Sequence, residues 1–350
     1  MTSTPTLDHE RVVVRRGERS GLPVIVAIHS TQLGSAVGGC RMWTYSNWRE
    51  GLADALRLSE AMSFKCAVAG IEHGGGKSVI PLPEGTVLTP ELRTAVMRDL
   101  GDVVHELGGQ YVVGADVGTS AADMRTVRER TMWAADHDNV AGSEAEAESM
   151  VEPTSLGVYE SMRATANHLF GSPELRGLSA AIVGLGSVGG PLARRLAQDG
   201  VHLVVTDIDP TRRELAEEIG ADWGGPDTLF SPVDIAVPAA LGGVLSPETV
   251  PRLRCRAVVG PANNQLVDDG VADLIEAHGA VWAPDFIVNA GGVVWGVATQ
   301  LDGRSAADAL GKVREIGGRV ADVLTRARET GQTPLAVARE QARARLASAT

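Results

Sequence analysis

Apolar runs at Arg11–Arg15 and Leu22–His29, the second reading LPVIVAIH, predict two strands near the start of the chain. Residues Asn47–Met62 place Leu52, Leu56 and Met62 at helical spacing. Thr89-Pro90-Glu91 opens a second helix, with threonine as N-cap and proline in the first turn. That helix is expected to run to about Leu107 and stop at Gly108-Gly109, before a short strand, Tyr111-Val112-Val113, that leads into Gly114-Ala115-Asp116. The second half alternates more regularly. A helix over Pro153–Leu169 precedes a strand at Ala180–Val183, a helix at Val188–Asp199, a strand at His202–Thr206 and a helix at Thr211–Ile219. Further strands are expected at Ile235–Val237, Ala257–Val259 and Ala280–Trp282. Alternation at this spacing predicts a parallel sheet with helices on both faces. Ser305 and Asp308 suggest a capping box, and Thr333-Pro334 opens a last helix.

The halves separate near residues 136–152, where DHDNVAGSEAEAESMVE is acidic and poor in large apolar side chains. With 350 residues, two domains are expected. Hydrophobic residues make up 44% of the chain and charged residues 22%, which supports a sizeable core and excludes wholesale disorder. Aromatic residues are only 4%, so that core rests on Val, Leu, Ile and Ala. The formal charge of −12 argues against a nucleic-acid surface. The basic tail, with eight Lys/Arg and four Asp/Glu over residues 311–350, is read as a solvated helix face or as one packed on acidic surface. Cys40, Cys66 and Cys255 match no zinc or haem spacing, so no metal is expected and the thiols are read as free, most of them buried. The N-terminus lacks the apolar core of a signal peptide, and no run is long enough to span a bilayer, so a cytoplasmic protein without membrane partners is expected.

Two segments carry candidate chemistry. AAIVGLGSVGG sets Gly184, Gly186 and Gly189 in G-x-G-x-x-G between a predicted strand and a predicted helix, with Ser187 and Val188 inside the turn. A second strand ends in Asp207, eighteen residues beyond Gly189, followed by Ile208. These are the parts of a dinucleotide site: a tight turn, close approach to the pyrophosphate, helix–strand packing, and a carboxylate for the ribose hydroxyls. A carboxylate at Asp207 disfavours a ribose 2′-phosphate, which favours NAD over NADP, although Arg212 and Arg213 follow closely. The other segment, AMSFKCAVAGIEHGGGKSVI, holds Lys65 and Lys77, the latter directly after three glycines. It fails the P-loop spacing. Triple glycine suggests backbone packed closely against a neighbour with the lysine held at its end. Two lysines in one pocket can split roles, one pairing with a carboxylate and one serving as a general base. Asp116 is a candidate proton carrier beside them, and Gly38-Gly39 is either a backbone anion site or a plain turn.

The segments IHSTQLGSAVGGCR, EHGGGKSVI, GADVGTSAADM, VGLGSVGG, GPANNQL and APDFIVNAGGVV resemble, in their order over roughly residues 20–330, the Glu/Leu/Phe/Val amino-acid dehydrogenase superfamily. The phenylalanine, valine and leucine branch is the most similar. The resemblance implies a two-domain α/β fold. Residues 1–140, with a C-terminal helix at about 325–350, would bind substrate and form oligomers; residues 150–324 would form a Rossmann NAD domain, with a cleft between. It implies reversible oxidative deamination of an L-amino acid to the 2-oxo acid and ammonium, with NAD as cofactor. Lys65 corresponds to the lysine that binds the substrate carboxylate with the Gly38-Gly39 backbone. Lys77 corresponds to the catalytic lysine that polarises the carbonyl and activates water, and Asp116 to the aspartate that exchanges protons with the substrate amine. Met62, Gly114, Ala115, Val293 and Gly296 fall at substrate-pocket positions. Asn263 falls at the substrate–nicotinamide junction. Thr154, Ala239, Ala240 and Asn289 fall at cofactor positions. A homo-oligomer, guessed to be a dimer, is also implied.

Departures from the family pattern bear on substrate. Gly114 is the choice associated with the phenylalanine branch, and Gly296 stands where branched-chain enzymes usually carry an apolar side chain. Missing side chains enlarge a pocket, so an aromatic or large apolar amino acid is favoured, with a branched-chain substrate as the alternative. Trp295 is unusual and is expected to refill part of that space. Pro261 stiffens the loop before Asn263, and PAALGG, which includes Ala239, replaces a common Pro-Cys-Ala pattern. Glu144, Glu146, Glu148 and Glu152 crowd the linker, where the family carries a Gly/Ser-rich segment. Two further readings stay open: an oxidoreductase acting on an unusual oxo acid or imine, and a non-catalytic NAD-binding protein.

Overall fold

A computed structural model describes residues 8–135 and 146–348, with side chains from 151 onward in the second stretch. It divides into two compact units, Met1–Ala141 with Gln341–Thr350, and Gly142–Glu340.

In the first unit, strands β1 (Arg11–Arg16), β2 (Pro23–Ser30), β3 (Ala36–Thr44), β4 (Gly74–Leu82) and β5 (Tyr111–Ala115) form one sheet in the order β1-β2-β4-β3-β5. The β1–β2 and β2–β4 pairs are antiparallel, and β4, β3 and β5 run parallel. Alternation along the strands builds two layers. Val24, Val26, Ile28, Cys40, Met42, Ile80, Tyr111 and Val113 join a core with Val96, Met97 and Leu100 of helix α2 (Pro90–Glu106). Ile25, Ala27 and Val79 face the other way, onto Ala55 of helix α1 (Trp48–Ala69). The buried residues of α1 are mostly small and recur at helical spacing: Gly51, Ala55, Ser59, Ser63 and Cys66. A Cβ on Gly75 would stand 2.0 Å from the Ser63 nitrogen, so the triple glycine does admit close packing. Helix α2 begins at Pro90 with Thr89 as cap, as expected, and a short helix, α3 (Ala121–Arg128), follows β5.

Strands β3 and β4 were not expected from the apolar pattern, and Gly38-Gly39 lies inside β3 rather than in a turn. Glycine weakens the strand signal locally, and here neighbouring strands supply what it lacks. The basic tail acts locally: Arg345 donates to the Ala67 carbonyl at 2.7 Å, giving the C-terminal turn of α1 a cation that its own sequence lacks. Cys40 and Cys66 are buried free thiols, and Cys255 is half-buried.

In the second unit, β6 (Ser179–Val183), β7 (His202–Thr206), β8 (Asp222–Trp223), β9 (Ile235–Pro238), β10 (Ala257–Val258) and β11 (Val281–Trp282) form a parallel sheet ordered β11-β10-β9-β6-β7-β8. Its helices are α4 (Glu146–Phe170), α5 (Gly189–Gln198), α6 (Arg213–Glu218), α7 (Val271–Ala277), α8 (Asp285–Val288), α9 (Gly291–Gly296) and α10 (Ala306–Thr330). Helix α11 (Pro334–Ser348) begins in this unit and ends in residues of the other, so the return falls later in the chain than 325. Ser305 caps α10 by accepting from the Asp308 N–H at 3.1 Å. Helix α4 starts before Pro153, which lies inside it rather than at its first turn. Among the glutamates of the acidic stretch, Glu152 pairs with Arg195; Glu144 and the side chains of Glu146 and Glu148 lie outside the described residues. Among the described residues, no helix is long and apolar enough to cross a membrane.

Candidate active site and dinucleotide loop

The parallel register places Gly39 of β3 opposite Gly114 of β5. On the other side, the pairs Val37–Gly75 and Cys40–Ser78 bracket Gly39 against Lys77 of β4. Lys77, Gly39 and Gly114 therefore form a row across adjacent strands, on the face that carries Gly75 and Val79 toward α1. Asp116 follows the end of β5. A Cβ on Gly39 would lie 2.6 Å from the Asp116 Cβ, so glycine is what lets this aspartate lie over the sheet. There its Oδ2 meets Lys77 Nζ at 2.8 Å, and the lysine side chain is only 7% exposed. Thr119 fixes the turn. Its hydroxyl accepts from the Asp116 N–H at 2.9 Å and donates to the Cys40 carbonyl at 2.7 Å. Burial alone would raise the Asp116 pKa; the Lys77 ammonium, the Arg41 guanidinium and the Val117 N–H outweigh it and hold the carboxyl below its usual range.

Lys65 and Met62 are half-buried on α1, the helix covering the face that bears Lys77. Ala115 is exposed at the end of β5. Around Gly114 there is room: the nearest atom a Cβ would meet is the Ala135 Cβ at 4.0 Å. Packing therefore does not demand glycine at this position. The apolar pattern gave no sign of Arg41, Asp54 or Thr119. Arg41 Nε donates to Asp116 Oδ2 at 3.2 Å and its NH1 to Asp54 Oδ2 at 3.0 Å. A basic residue just after Gly38-Gly39, on the same strand face as Gly39, was the available signal.

In the second unit, β6 has β7 on one side and β9 on the other, so the winding reverses beside it. Ligands of open parallel sheets bind at such a switch point, beyond the strand C-termini. Gly184 follows β6, and Ala239-Ala240 follows β9. Gly184 has φ of 106°, where an L side chain is strained, and its Cβ would lie 2.8 Å from that of Ala240. A Cβ on Gly189 would stand 2.0 Å from the Gly184 carbonyl oxygen, whereas one on Gly186 would meet nothing within 4 Å. Two of the glycines thus close the turn, and the middle one opens toward solvent. Ser187 and Val188 complete the turn, with Val188 at the N-cap position of α5. Asp207 is tied to this loop, because its Oδ2 accepts from the Leu185 N–H at 2.6 Å and its Oδ1 from the Asp209 N–H at 2.9 Å. Ile208 next to it is fully exposed, an apolar surface suited to an adenine ring. The two arginines have other partners: Arg212 lies 3.8 Å from Asp209, and Arg213 stacks over Trp223.

Exposed Asn263 is held by Asn289, whose Nδ2 donates to its Oδ1 at 2.8 Å and to the Pro261 carbonyl at 3.2 Å. Beneath them, buried Gln265 donates to the Gly260 and Ala262 carbonyls, and its Oε1 accepts from the Trp282 indole at 3.0 Å. Thr154 is half-buried on α4, near where the Gly291 backbone packs against Pro153. On α9, Val293 and Gly296 share a helix face. Trp295 is 4% exposed and lies about 200° around the helix from Val293 by helical geometry.

Comparison with known proteins gives the class: an oxidoreductase of the amino-acid dehydrogenase kind. Residues 9–137 match the family model described as Glu/Leu/Phe/Val dehydrogenase, dimerisation domain, and residues 205–298 match the Glutamate/Leucine/Phenylalanine/Valine dehydrogenase model. The chain is 41% identical to a valine dehydrogenase of Streptomyces albus, over 97% of this chain and 93% of that one. It is 38% identical to a leucine dehydrogenase of Thermoactinomyces intermedius, over 93% and 87%. A crystal structure of L-tryptophan dehydrogenase from Nostoc punctiforme superposes with a TM-score of 0.86 at 32% identity, covering 98% of this chain and 97% of that one. The chain belongs to the Glu/Leu/Phe/Val dehydrogenase family.

Proposed function

We propose that this protein is an NAD-dependent dehydrogenase that oxidatively deaminates an L-amino acid with a large apolar or aromatic side chain, reversibly, to the 2-oxo acid and ammonium. The observation that carries the reading is the contact of Lys77 with Asp116 at 2.8 Å on a row of strand glycines that leaves the space above Gly114 open. Bound NAD would supply the acceptor for the hydride lost from the substrate Cα. Everything else falls to the protein. Lys65 and the backbone at Gly38-Gly39 hold the substrate carboxylate. Asp116 takes a proton from the substrate ammonium. Lys77 takes a proton from the attacking water, and Asp116 returns its proton to the departing amine and then accepts that of the carbinol hydroxyl, so that ammonium and one further proton are released; Lys77 Nζ lies within direct proton-transfer reach of Asp116 Oδ2. Asn263, held by Asn289, would lie at the nicotinamide end of the cofactor. Met62, Gly114 and Ala115 bound the side chain.

Gly184, Gly186, Ser187, Val188 and Gly189 receive the pyrophosphate. Ala239, Ala240 and Thr154 flank the adenosine and nicotinamide ends. Ile208 packs on adenine, and Asp207 accepts from the ribose hydroxyls. Preference for NAD rests on that carboxylate and on the engagement of Arg212 and Arg213 with other groups. The match of residues 9–137 to a dimerisation domain supports a homo-oligomer, which sedimentation of the purified protein would measure.

A branched-chain substrate is the second reading, favoured by the valine and leucine dehydrogenases at 41% and 38% identity. NADH absorbance with phenylalanine, tryptophan, leucine and valine, run against both NAD and NADP, separates the two. Higher kcat/KM for phenylalanine or tryptophan is expected. Leucine or valine ahead of both selects the second reading, and no turnover of any of them at alkaline pH overturns the proposal.

A further inference from the structure

One oxygen of Asp116, Oδ2, is shared between two cations: Lys77 at 2.8 Å and Arg41 Nε at 3.2 Å. Arg41 is itself held from behind. Its NH1 donates to Asp54 Oδ2 at 3.0 Å, and that same oxygen accepts from the Tyr45 hydroxyl at 2.7 Å. Arg57, one turn along α1, donates to Asp54 Oδ1 at 2.7 Å. The guanidinium thus spans from helix α1 to the end of β5, and each end rests on a carboxylate. This is more than a surface ion pair, since Arg41, Asp54 and Asp116 are 24%, 16% and 25% exposed. The planar fork fixes direction as well as charge, which an ammonium does not.

We propose that Arg41, anchored by Asp54, is a positioning residue that fixes the Asp116 carboxylate beside Lys77. The inference rests on the function proposed above, in which Asp116 accepts the substrate's proton. Two consequences follow from the geometry. Without the fork, Asp116 gains rotational freedom, and a near-attack arrangement is occupied less often. Without the cation, burial acts on Asp116 less opposed, so the carboxylate takes up a proton at higher pH. The sign is definite: activity that needs the ionised form loses its acidic limb toward higher pH. The other groups near Asp116 do not confuse that limb. Cys40 on β3 and Tyr111 on β5 face the opposite side of the sheet; burial pushes the Cys40 thiol up to about 12 and the Tyr111 phenol higher still. Burial and Asp54 likewise raise the Tyr45 phenol. On α1, burial alone would raise the Asp54 carboxyl, but the Tyr45 hydroxyl and the Arg57 and Arg41 guanidinium groups outweigh it and hold it below its usual range, and Lys65 lies three turns further along the same helix face as Asp54.

The test is the pH dependence of kcat and kcat/KM for the best amino-acid substrate in the wild type and in Arg41→Gln, Arg41→Lys, Asp54→Asn and Asp116→Asn. Arg41→Gln is expected to lower kcat about tenfold, with the acidic limb raised by about one pH unit, since one unit is one tenfold change in proton affinity. The KM for the nicotinamide cofactor should not change. Arg41→Lys keeps the cation and should restore the limb while kcat recovers only in part. Asp54→Asn keeps Arg41 charged but frees its far end, so kcat should fall several-fold with no upward shift of the limb. The inference is overturned if Arg41→Gln keeps the wild-type limb, or if the glutamine and lysine variants are equally slow with the limb unmoved. Should Arg41→Gln not fold, Arg41→Lys and Asp54→Asn decide the matter: wild-type kcat in both overturns the positioning role. Asp116→Asn tells the two failures apart. Retained turnover there removes the reading in which Asp116 takes the substrate's proton, whereas abolished turnover with an unmoved limb in Arg41→Gln removes only the role of Arg41.

Discussion

Both units use glycine to bring backbone close to chemistry, but in different ways. In the second unit the glycines stand in one turn, Gly184 to Gly189, and the site they form is local in sequence. In the first unit they stand on separate strands, Gly38-Gly39 on β3, Gly74–Gly76 on β4 and Gly114 on β5, and the site exists only once the strands are paired. A local site has a spacing rule, because phosphate meets consecutive N–H groups and a helix start. A site spread across strands has none, because sheet register sets its geometry. The contrast sorts the expected effects of mutation: side chains of the first unit should control chemistry, and the turn of the second should control cofactor affinity.

The largest expected effect is that of Lys77→Ala. Positioned acid–base groups contribute about 10²–10⁴-fold, and turnover should fall by about a thousandfold. NADH affinity, followed by fluorescence titration, should stay at the wild-type value because no residue of the dinucleotide loop is touched. Loss of both together would break the division between the units. Activity near wild type would remove the role assigned to Lys77.

Next come two glycine substitutions that look alike on paper. Gly39→Ala puts a methyl group 2.6 Å from the Asp116 Cβ, so Asp116 must move. Overpacking of this kind costs about 1–3 kcal/mol, and denaturant titration should show that loss together with a drop in kcat. Gly186→Ala adds a methyl group with nothing within 4 Å, so stability should hold within about 0.5 kcal/mol. Its cost should appear in cofactor binding instead, at about tenfold or 1.4 kcal/mol, because the methyl group points where the pyrophosphate has to approach. If the two variants exchanged phenotypes, the comparison between strand and turn glycines would fail.

The same contrast explains what could be read from the chain. In the second unit β6, α5 and β7 lie within a residue or so of their expected bounds, whereas β8, α7, α8 and α9 are not marked by the apolar alternation. The glycine-rich turn between β6 and α5 is legible because its constraint is local. Strands β3 and β4 escaped because AVGGCRMWT and GGGKSVIPL replace the β-branched signal with glycine at the positions where the site requires close approach. Lys77 and Asp116 were identified as a pair by resemblance, since thirty-nine residues separate them and only register brings them together. Asp54 has no pattern that marks it, and Arg41 has only its place just after Gly38-Gly39. An arginine on a strand and an aspartate on a helix each read as solvated charges until the fold places one against the other. Gln265 and Asp285 are a similar case: Asp285 Oδ2 accepts from the Gln265 N–H at 2.9 Å beneath Asn263, a contact that no motif spacing encodes.

The smallest effect tests the row of glycines itself. Gly114 has no packing reason to be glycine, since a Cβ there would reach only the Ala135 methyl group at 4.0 Å. Gly114→Ala should therefore leave the denaturation midpoint unchanged and subtract volume from the space beside Lys77. One added methyl group in an apolar pocket discriminates by about 10–200-fold, and the low end is expected where the pocket can adjust. The ratio of kcat/KM for phenylalanine to that for valine should fall about tenfold in this variant by the same rule, with KM for the cofactor constant. A ratio that does not move would mean that the substrate side chain is not accommodated over β5. The row of Lys77, Gly39 and Gly114 would then orient the reacting groups without selecting the substrate, and selection would have to be sought on the α9 face that carries Val293 and Gly296.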